Sequence, residues 1–342
     1  MIDYSNLGKV ENVKPIWLSG VYRSGTTFFD AVVNNISNIK ASSSTVKYLR
    51  FCMPHFKLDS DNDHKKLIIE TAKRVKNRWQ LDLNVQNVLN SLVEKNINHA
   101  EIYNAIMNEL LLSKENEVRW AEKLAMQWRD IPIFLKMFPK GKVIHIFRDP
   151  RDVTSSYKKM TYEKWPTFLD AALNCKAAMI DLPNFQENFG DDRVMIIKAE
   201  DLAYDLPKSI KNICSFLGEE YREEFSLIDS FNNIAGEDWR SNTSFNESEN
   251  NFSKAKSRWA ETLSLEELFL VEMFCQPNMS QMGYEGSNSD FSKINKEELY
   301  KLVSDPWLSK RINKYLSTGL PEQGYRTDPY KTEMKIVFGI RN

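Results

Sequence analysis

Gly20-Val21-Tyr22-Arg23-Ser24-Gly25-Thr26-Thr27 is the stretch whose reading decides the fold. It follows a short apolar run, Pro15-Ile16-Trp17-Leu18, and leads into Phe28-Phe29-Asp30-Ala31-Val32-Val33, which can wind as a helix. A strand, a Gly-bounded turn and a helix start are what a phosphate cradle requires. Glycines let backbone N–H groups approach an anion, and the helix N-terminus adds a partial positive charge. Ser24, Thr26 and Thr27 supply hydroxyl donors, and Arg23 supplies a permanent, forked cation. A Walker A loop reads G-x-x-x-x-G-K-[ST]. Here the Gly20-to-Gly25 spacing is kept, but Thr26 stands where the Lys belongs. The loop suits a phosphorylated ligand but not ordinary ATP or GTP hydrolysis.

A second stretch answers the first. Lys142-Val143-Ile144-His145-Ile146-Phe147 is an apolar, β-branched run bounded by Gly141 and Arg148, the pattern of a buried strand. His145 inside it reads as a core side chain. The chain continues Arg148-Asp149-Pro150-Arg151-Asp152-Val153-Thr154-Ser155-Ser156. Asp149 can cap a helix and Pro150 can fill its first turn. Arg148 at the strand end and Ser156 about two turns along the helix can clamp one phosphate. The other reading is a surface salt-bridge cluster of Arg148, Asp149, Arg151 and Asp152, and the stretch taken alone leaves both open.

Between these stretches, Ser37 to Ser60 is polar and reads as irregular. Asp63 to Glu117 is helical in pattern, with Leu67, Ile68, Ala72 and Val75, then Ile102, Ile106, Leu110 and Leu111, at helical spacing. This is expected to be an all-helical cap insertion over about residues 63–118. Further on, Phe168–Phe189 reads as a long amphipathic helix and Arg193–Lys198 as a strand. Asp205-Leu206-Pro207 opens a helix that stops at Gly218, and Ser264-Leu265-Glu266-Glu267 is a capping box. Ile228 to Ser257 reads as a long loop, Lys296–Leu316 as one helix, and the tail beyond it as loosely packed. Strands alternating with helices imply an α/β fold with a parallel sheet, P-loop-like, and a ligand where the strand-end loops converge. One domain over residues 1–342 is expected, closed by a C-terminal helix and tail at about 293–342.

The 342 residues carry 46 basic and 47 acidic side chains, so the net charge is −1. That gives no global pull toward nucleic acid or an anionic membrane, and any anion site must be local. Cys52, Cys175, Cys214 and Cys275 are far apart without metal-ligand spacing, and read as reduced, mostly buried thiols of a cytoplasmic protein. No metal site is expected. Neither a signal peptide nor an apolar run of the roughly 20 residues of a membrane span is visible.

Together, the two stretches resemble the sulfotransferases that use 3′-phosphoadenosine 5′-phosphosulfate (PAPS). That family pairs a loop of the type [RK]-S-G-T-T with a downstream strand-end Arg and a Ser eight residues later, as in Arg23-Ser24-Gly25-Thr26-Thr27, Arg148 and Ser156. Trp120-Ala121-Glu122-Lys123 is similar to the W-G-E-K-T-P element of the Arg-type members. Glu200-Asp201-Leu202 with Phe216-Leu217-Gly218 matches the E-D-L … F-L-G spacing, and Trp259, Leu263-Ser264 and Gly283-Tyr284 look like the C-terminal landmarks. The resemblance runs from about Pro15 to Tyr284. It implies that Ser24, Gly25, Thr26 and Thr27 cradle the 5′-phosphosulfate and that Arg148 with Ser156 binds the 3′-phosphate. Arg23 and Lys123 would stabilise charge on the departing oxygen. By similarity to the tyrosylprotein type, Ser244 and Arg258 would reach the cofactor, and PAP would be the product.

The chain departs from the family at Lys123-Leu124-Ala125, where cytosolic members carry a base His, and Ser42 to Arg50 holds no acid. Glu122, His55, Asp59 and Glu70 are the candidate bases. The alternatives are a P-loop nucleotide kinase, which would want Lys at position 26, and a non-catalytic nucleotide-binding interaction protein. The acceptor is a small molecule, carbohydrate or peptide, with Trp79, Tyr103, Trp239 and Phe245 as candidate stacking surfaces. The Lys296–Leu316 helix and tail offer an oligomer interface.

Overall fold

Ile16–Gly20 (β1) runs through the middle of a five-stranded sheet and delivers the chain to the glycine-bounded loop. The computed structural model describes residues 6–43, 45–60, 62–92, 97–111, 118–160, 167–227, 231 and 258–321. The other strands are Ile39–Ser43 (β2), Arg119–Lys123 (β3), Lys142–Phe147 (β4) and Val194–Lys198 (β5). All pair in parallel, in the order β2-β3-β1-β4-β5. The connection after β1 heads toward β2 and that after β4 toward β5. The loops leaving β1 and β4 therefore diverge over adjacent strands, which is where open α/β sheets bind ligands.

Strand periodicity divides the core. Ile16 and Leu18 of β1, Ala121 of β3, and Ile144 and Ile146 of β4 pack with Phe28, Phe29, Val32 and Val33 of the helix Thr26–Asn34. Ile210, Ile213 and Leu217 of the helix Leu206–Leu217 complete that side. Trp17, Trp120, Val143 and Phe147 point the other way, into a larger core. That core is shared with Asp63–Trp79 and His99–Leu111 of the insertion and with Asp170–Phe189. Successive strand residues thus serve different cores.

Two expected elements change. Ser37–Ser60 is not irregular throughout, because it contains the edge strand β2, with Ile39 and Ala41 buried and Lys40 exposed. Arg119–Lys123 is a buried strand despite three charged side chains in five. The expected helix Lys296–Leu316 is two helices, Lys296–Ser304 and Pro306–Thr318. Asp305 breaks the run: its Oδ1 accepts from the N–H groups of Trp307 and Leu308 at 3.0 and 2.9 Å, and Pro306 begins the next helix. The insertion holds Asp63–Trp79, Val85–Ser91 and His99–Leu111. The capping box at Ser264 forms in both directions, and Gly218 closes its helix in the left-handed conformation, φ 77°. All four cysteines are buried, and none is in a disulfide. Most of the long loop read over Ile228–Ser257 lies outside the described residues, as does the tail past residue 321.

Candidate nucleotide and sulfuryl-transfer site

The loop after β1 is shaped by two glycines for different reasons. Gly25 sits at φ 85°, where L side chains are strained, and is the N-cap of the helix Thr26–Asn34. At Gly20 the constraint is contact. A Cβ there would lie 2.6 Å from Thr26 Cγ2, 2.9 Å from Ile146 Cγ2 and 3.0 Å from the Ile146 carbonyl oxygen. Arg23 is itself left-handed, at φ 72°, a strained conformation of the kind that collects at functional sites. The first helical bond runs from the Phe29 N–H to the Gly25 oxygen at 3.0 Å. The amides of Thr26 and Thr27 precede it and have no acceptor within the helix, which is the arrangement a helix N-terminus offers an anion.

The two sequence stretches meet here. Arg23 Nε donates to Ser156 Oγ at 2.9 Å, and Arg148 Nη1 donates to the Arg23 carbonyl at 3.2 Å. Ser156 lies on the helix Pro150–Met160, which Asp149 caps by accepting the Arg151 N–H at 2.9 Å. The salt-bridge reading of this stretch holds for Arg151 alone. Its guanidinium is clamped between Asp149 (2.7 Å) and Glu272 (2.9 Å) and lies over the Trp259 ring. Arg148, just past the end of β4, is half-buried.

A bracing layer that sequence reasoning missed sits behind it. Glu200 accepts the Asp149 N–H at 2.9 Å and the Tyr284 hydroxyl at 3.0 Å, and burial pushes its carboxyl above the usual range. Asp152 accepts the Arg258 N–H at 2.9 Å, which tethers Arg258 to the helix that carries Ser156. Its pKa is raised by burial and held back by Arg148. Ser244 lies outside the described residues.

Glu122 and Lys123 face opposite cores. Lys123 Nζ stands 3.9 Å from Asp30 Oδ2, on the helix that follows the phosphate loop. Asp30 had a signal in the sequence: it is a lone acid within Phe28-Phe29-Asp30-Ala31-Val32. Glu122 points toward the insertion. Its Oε1 accepts from the N–H groups of Val46 (2.8 Å) and Lys47 (2.7 Å), and its Oε2 accepts from the Tyr103 hydroxyl. Burial raises its pKa, and those three donors together with Arg74 pull it back. Tyr103 is buried and stacked on Tyr48 at 4.8 Å, so this candidate stacking surface is core. Glu70 pairs with Lys73, while His55 and Asp59 are exposed. Trp239 and Phe245 lie outside the described residues.

Fold and loop define a P-loop-like α/β protein whose loop after β1 carries arginine and hydroxyl side chains where a Walker loop carries its lysine. A family model described as the sulfotransferase family matches residues 15–223. The chain belongs to the sulfotransferase family and is an enzyme of sulfuryl transfer. Among solved structures it is similar to the sulfotransferase domain from the curacin biosynthetic pathway, at 16% identity and TM-score 0.54, over 81% of this chain and 100% of that one. It also aligns with the sulfotransferase domain of the Synechococcus PCC 7002 olefin synthase (17% identity, TM-score 0.43, 78% of this chain and 95% of that one). A third match is mouse sulfotransferase SULT7A1 complexed with PAP (17%, 0.45, 87% and 92%). The curacin-pathway likeness supports the fold. Comparison with curated protein sequences finds no match. No helix among the described residues is long and apolar enough to cross a membrane.

Proposed function

We propose that this chain moves a sulfuryl group from PAPS to a hydroxyl or amine of a small-molecule, carbohydrate or peptide acceptor, leaving PAP. The observation that carries the reading is the 2.9 Å bond from Arg23 to Ser156, which joins two anion-binding stretches 133 residues apart at one sheet edge. The residues fit the cofactor chemically. Helix amides without helical acceptors and three hydroxyls face one anion, while Arg148 and Ser156 stand ready for a second.

PAPS supplies the activated sulfuryl group. The amides and hydroxyls of Ser24–Thr27 hold its 5′ end, and Arg148 with Ser156 holds its 3′-phosphate. The Arg23 guanidinium sits between these two subsites. Lys123, kept beside Asp30, stabilises negative charge as it develops on the departing oxygen. Arg258, tethered through Asp152, approaches from the 3′ side, and Ser244 completes the set. Glu122 enters as a positioning residue that fixes residues 45–48 and the strand carrying Lys123. The whole chain works as one domain, with residues 63–118 as the cap on the acceptor side and the helices Lys296–Ser304 and Pro306–Thr318 closing it before the tail. Its place is the cytoplasm, where its four thiols stay reduced.

The test is calorimetric titration of wild type and Arg148→Ala with PAP and with adenosine 5′-monophosphate. Wild type should prefer PAP without magnesium. Arg148→Ala should lose about 2–4 kcal/mol on PAP and little on the monophosphate, since only PAP carries the 3′-phosphate. Equal losses on both ligands would remove the clamp. Magnesium-dependent preference for ATP would replace the reading with a kinase.

A further inference from the structure

A second cationic site lies at the opposite end of the sheet, where the strands begin. A cavity of about 750 Å³ opens there, and Lys14, Arg119, Lys140, Lys142 and Arg193 line it. Two acids, Asp192 and Glu219, share the lining, so five positive against two negative side chains leave an excess of three positive charges. The chain as a whole carries −1, so this patch is a local concentration of charge.

Helix capping explains where the inner cations point. Arg119 Nη1 donates to the Leu217 carbonyl at 2.9 Å and Lys142 Nζ to the Phe216 carbonyl at 2.5 Å, closing the helix Leu206–Leu217. Arg193 Nη2 donates to the carbonyls of Leu135 and Phe138, at 3.1 and 2.8 Å, at the end of Ile131–Met137. Capping does not explain the charge. A carbonyl satisfies an N–H group but leaves the cation unneutralised. Glu219, 3.4 Å from Arg119 Nη1, answers Arg119, and Asp192 is shared between Lys142 and Arg193, so two acids face five cations. Arg119 Nε and Nη2 are buried without a hydrogen-bond partner. Burial, then Arg119, push the Lys142 ammonium below its ordinary range; Asp192 opposes them and Lys14 adds to them.

We propose that this cavity binds a tetrahedral oxyanion, sulfate or phosphate, either free or as the ester group of a larger molecule. Such an anion neutralises the inner cations together and meets the two exposed lysines at the rim. The site is separate from the nucleotide edge, because Lys142 and Arg148 bracket opposite ends of the same strand, β4.

The test is equilibrium dialysis of the full chain against labelled inorganic sulfate, with ionic strength held constant by sodium chloride. Wild type, Arg148→Ala, Lys142→Met and the double variant Lys14→Ala/Lys140→Ala are compared. One sulfate per chain should survive Arg148→Ala. It should weaken about tenfold or more in Lys142→Met and about threefold in the double variant. Because both rim lysines are exposed, the double variant keeps the test valid even where Lys142→Met impairs folding. Competition by inorganic phosphate is expected. Competition by a monosaccharide 6-sulfate would place the anion on an ester, and its failure would assign the site to the free ion. No saturable binding, or saturable binding left unchanged by Lys142→Met and by the double variant, whatever Arg148→Ala does, overturns the proposal.

Discussion

Replacing Glu122 separates a positioning role from a catalytic one, because the two roles predict different magnitudes. Its carboxylate serves three buried donors: the amides of Val46 and Lys47, and the Tyr103 hydroxyl. Arg74 braces the same segment through the carbonyls of Thr45 and Val46, at 2.5 and 2.8 Å. Glu122→Ala strands all three donors, each costing about 1–3 kcal/mol, so a loss of at least about 3 kcal/mol of stability is expected. Glu122→Gln keeps the shape and one carbonyl oxygen. It forfeits one charge-assisted bond, about 1.5–3 kcal/mol, offset by removal of a buried carboxylate. Its kcat should fall less than about tenfold. A general base lost to glutamine would instead cost about 10²–10⁴ in kcat with stability untouched. Urea unfolding, kcat at saturating acceptor and the pH–rate profile are measured on both variants. A hundredfold loss in Glu122→Gln at wild-type stability, with the acidic limb removed from the profile, would refute the positioning role.

Three further expectations follow from the geometry. Arg23→Gly should slow transfer more than it lowers stability, because glycine relieves the backbone at φ 72° while removing the guanidinium; a lower melting temperature with unchanged kcat would contradict this. Gly20→Ala forces a Cβ against Thr26 and the Ile146 carbonyl, so about 1–3 kcal/mol of stability and much of the PAP affinity should be lost, as melting and calorimetry would show. Burial lowers the pKa of His99 from 6.5 to about 4 and that of His145 to about 3. Because these folded values lie below the unfolded one, the stability they contribute is whole above pH 6.5. It drains as pH falls below 6.5 and is gone by about 4 for His99 and about 3 for His145, a loss on the order of 3 kcal/mol for His99 alone. His145→Leu removes two buried ring nitrogens that have no hydrogen-bond partner and should flatten that acid limb; an unchanged melting profile from pH 7 to 4 would count against it.

Legibility varied with how local each signal was. β1, β4 and β5 were readable because a buried parallel strand is a short apolar run between breakers. β3 was not, because Arg119, Glu122 and Lys123 break the apolar run of a strand that is nonetheless buried. β2 was hidden in a serine-rich stretch whose hydrophobic face is only Ile39 and Ala41. The break at Asp305-Pro306 was legible in principle, since both residues are boundary signals, but the apolar spacing ran on through it.

The sequence by itself determined which residues the candidate anion site would draw on: Arg23 to Thr27 after one strand, and Arg148 with Ser156 after another. Such motifs are local, because a turn and a cap depend on a handful of consecutive residues. The tertiary structure alone decided partners. It set Arg23 on Ser156, Lys123 beside Asp30, Glu122 under the insertion and Arg151 between Asp149 and Glu272. Strand alternation sends adjacent residues to opposite cores, and sheet order chooses the neighbours they find there; neither is written in the spacing of any one motif.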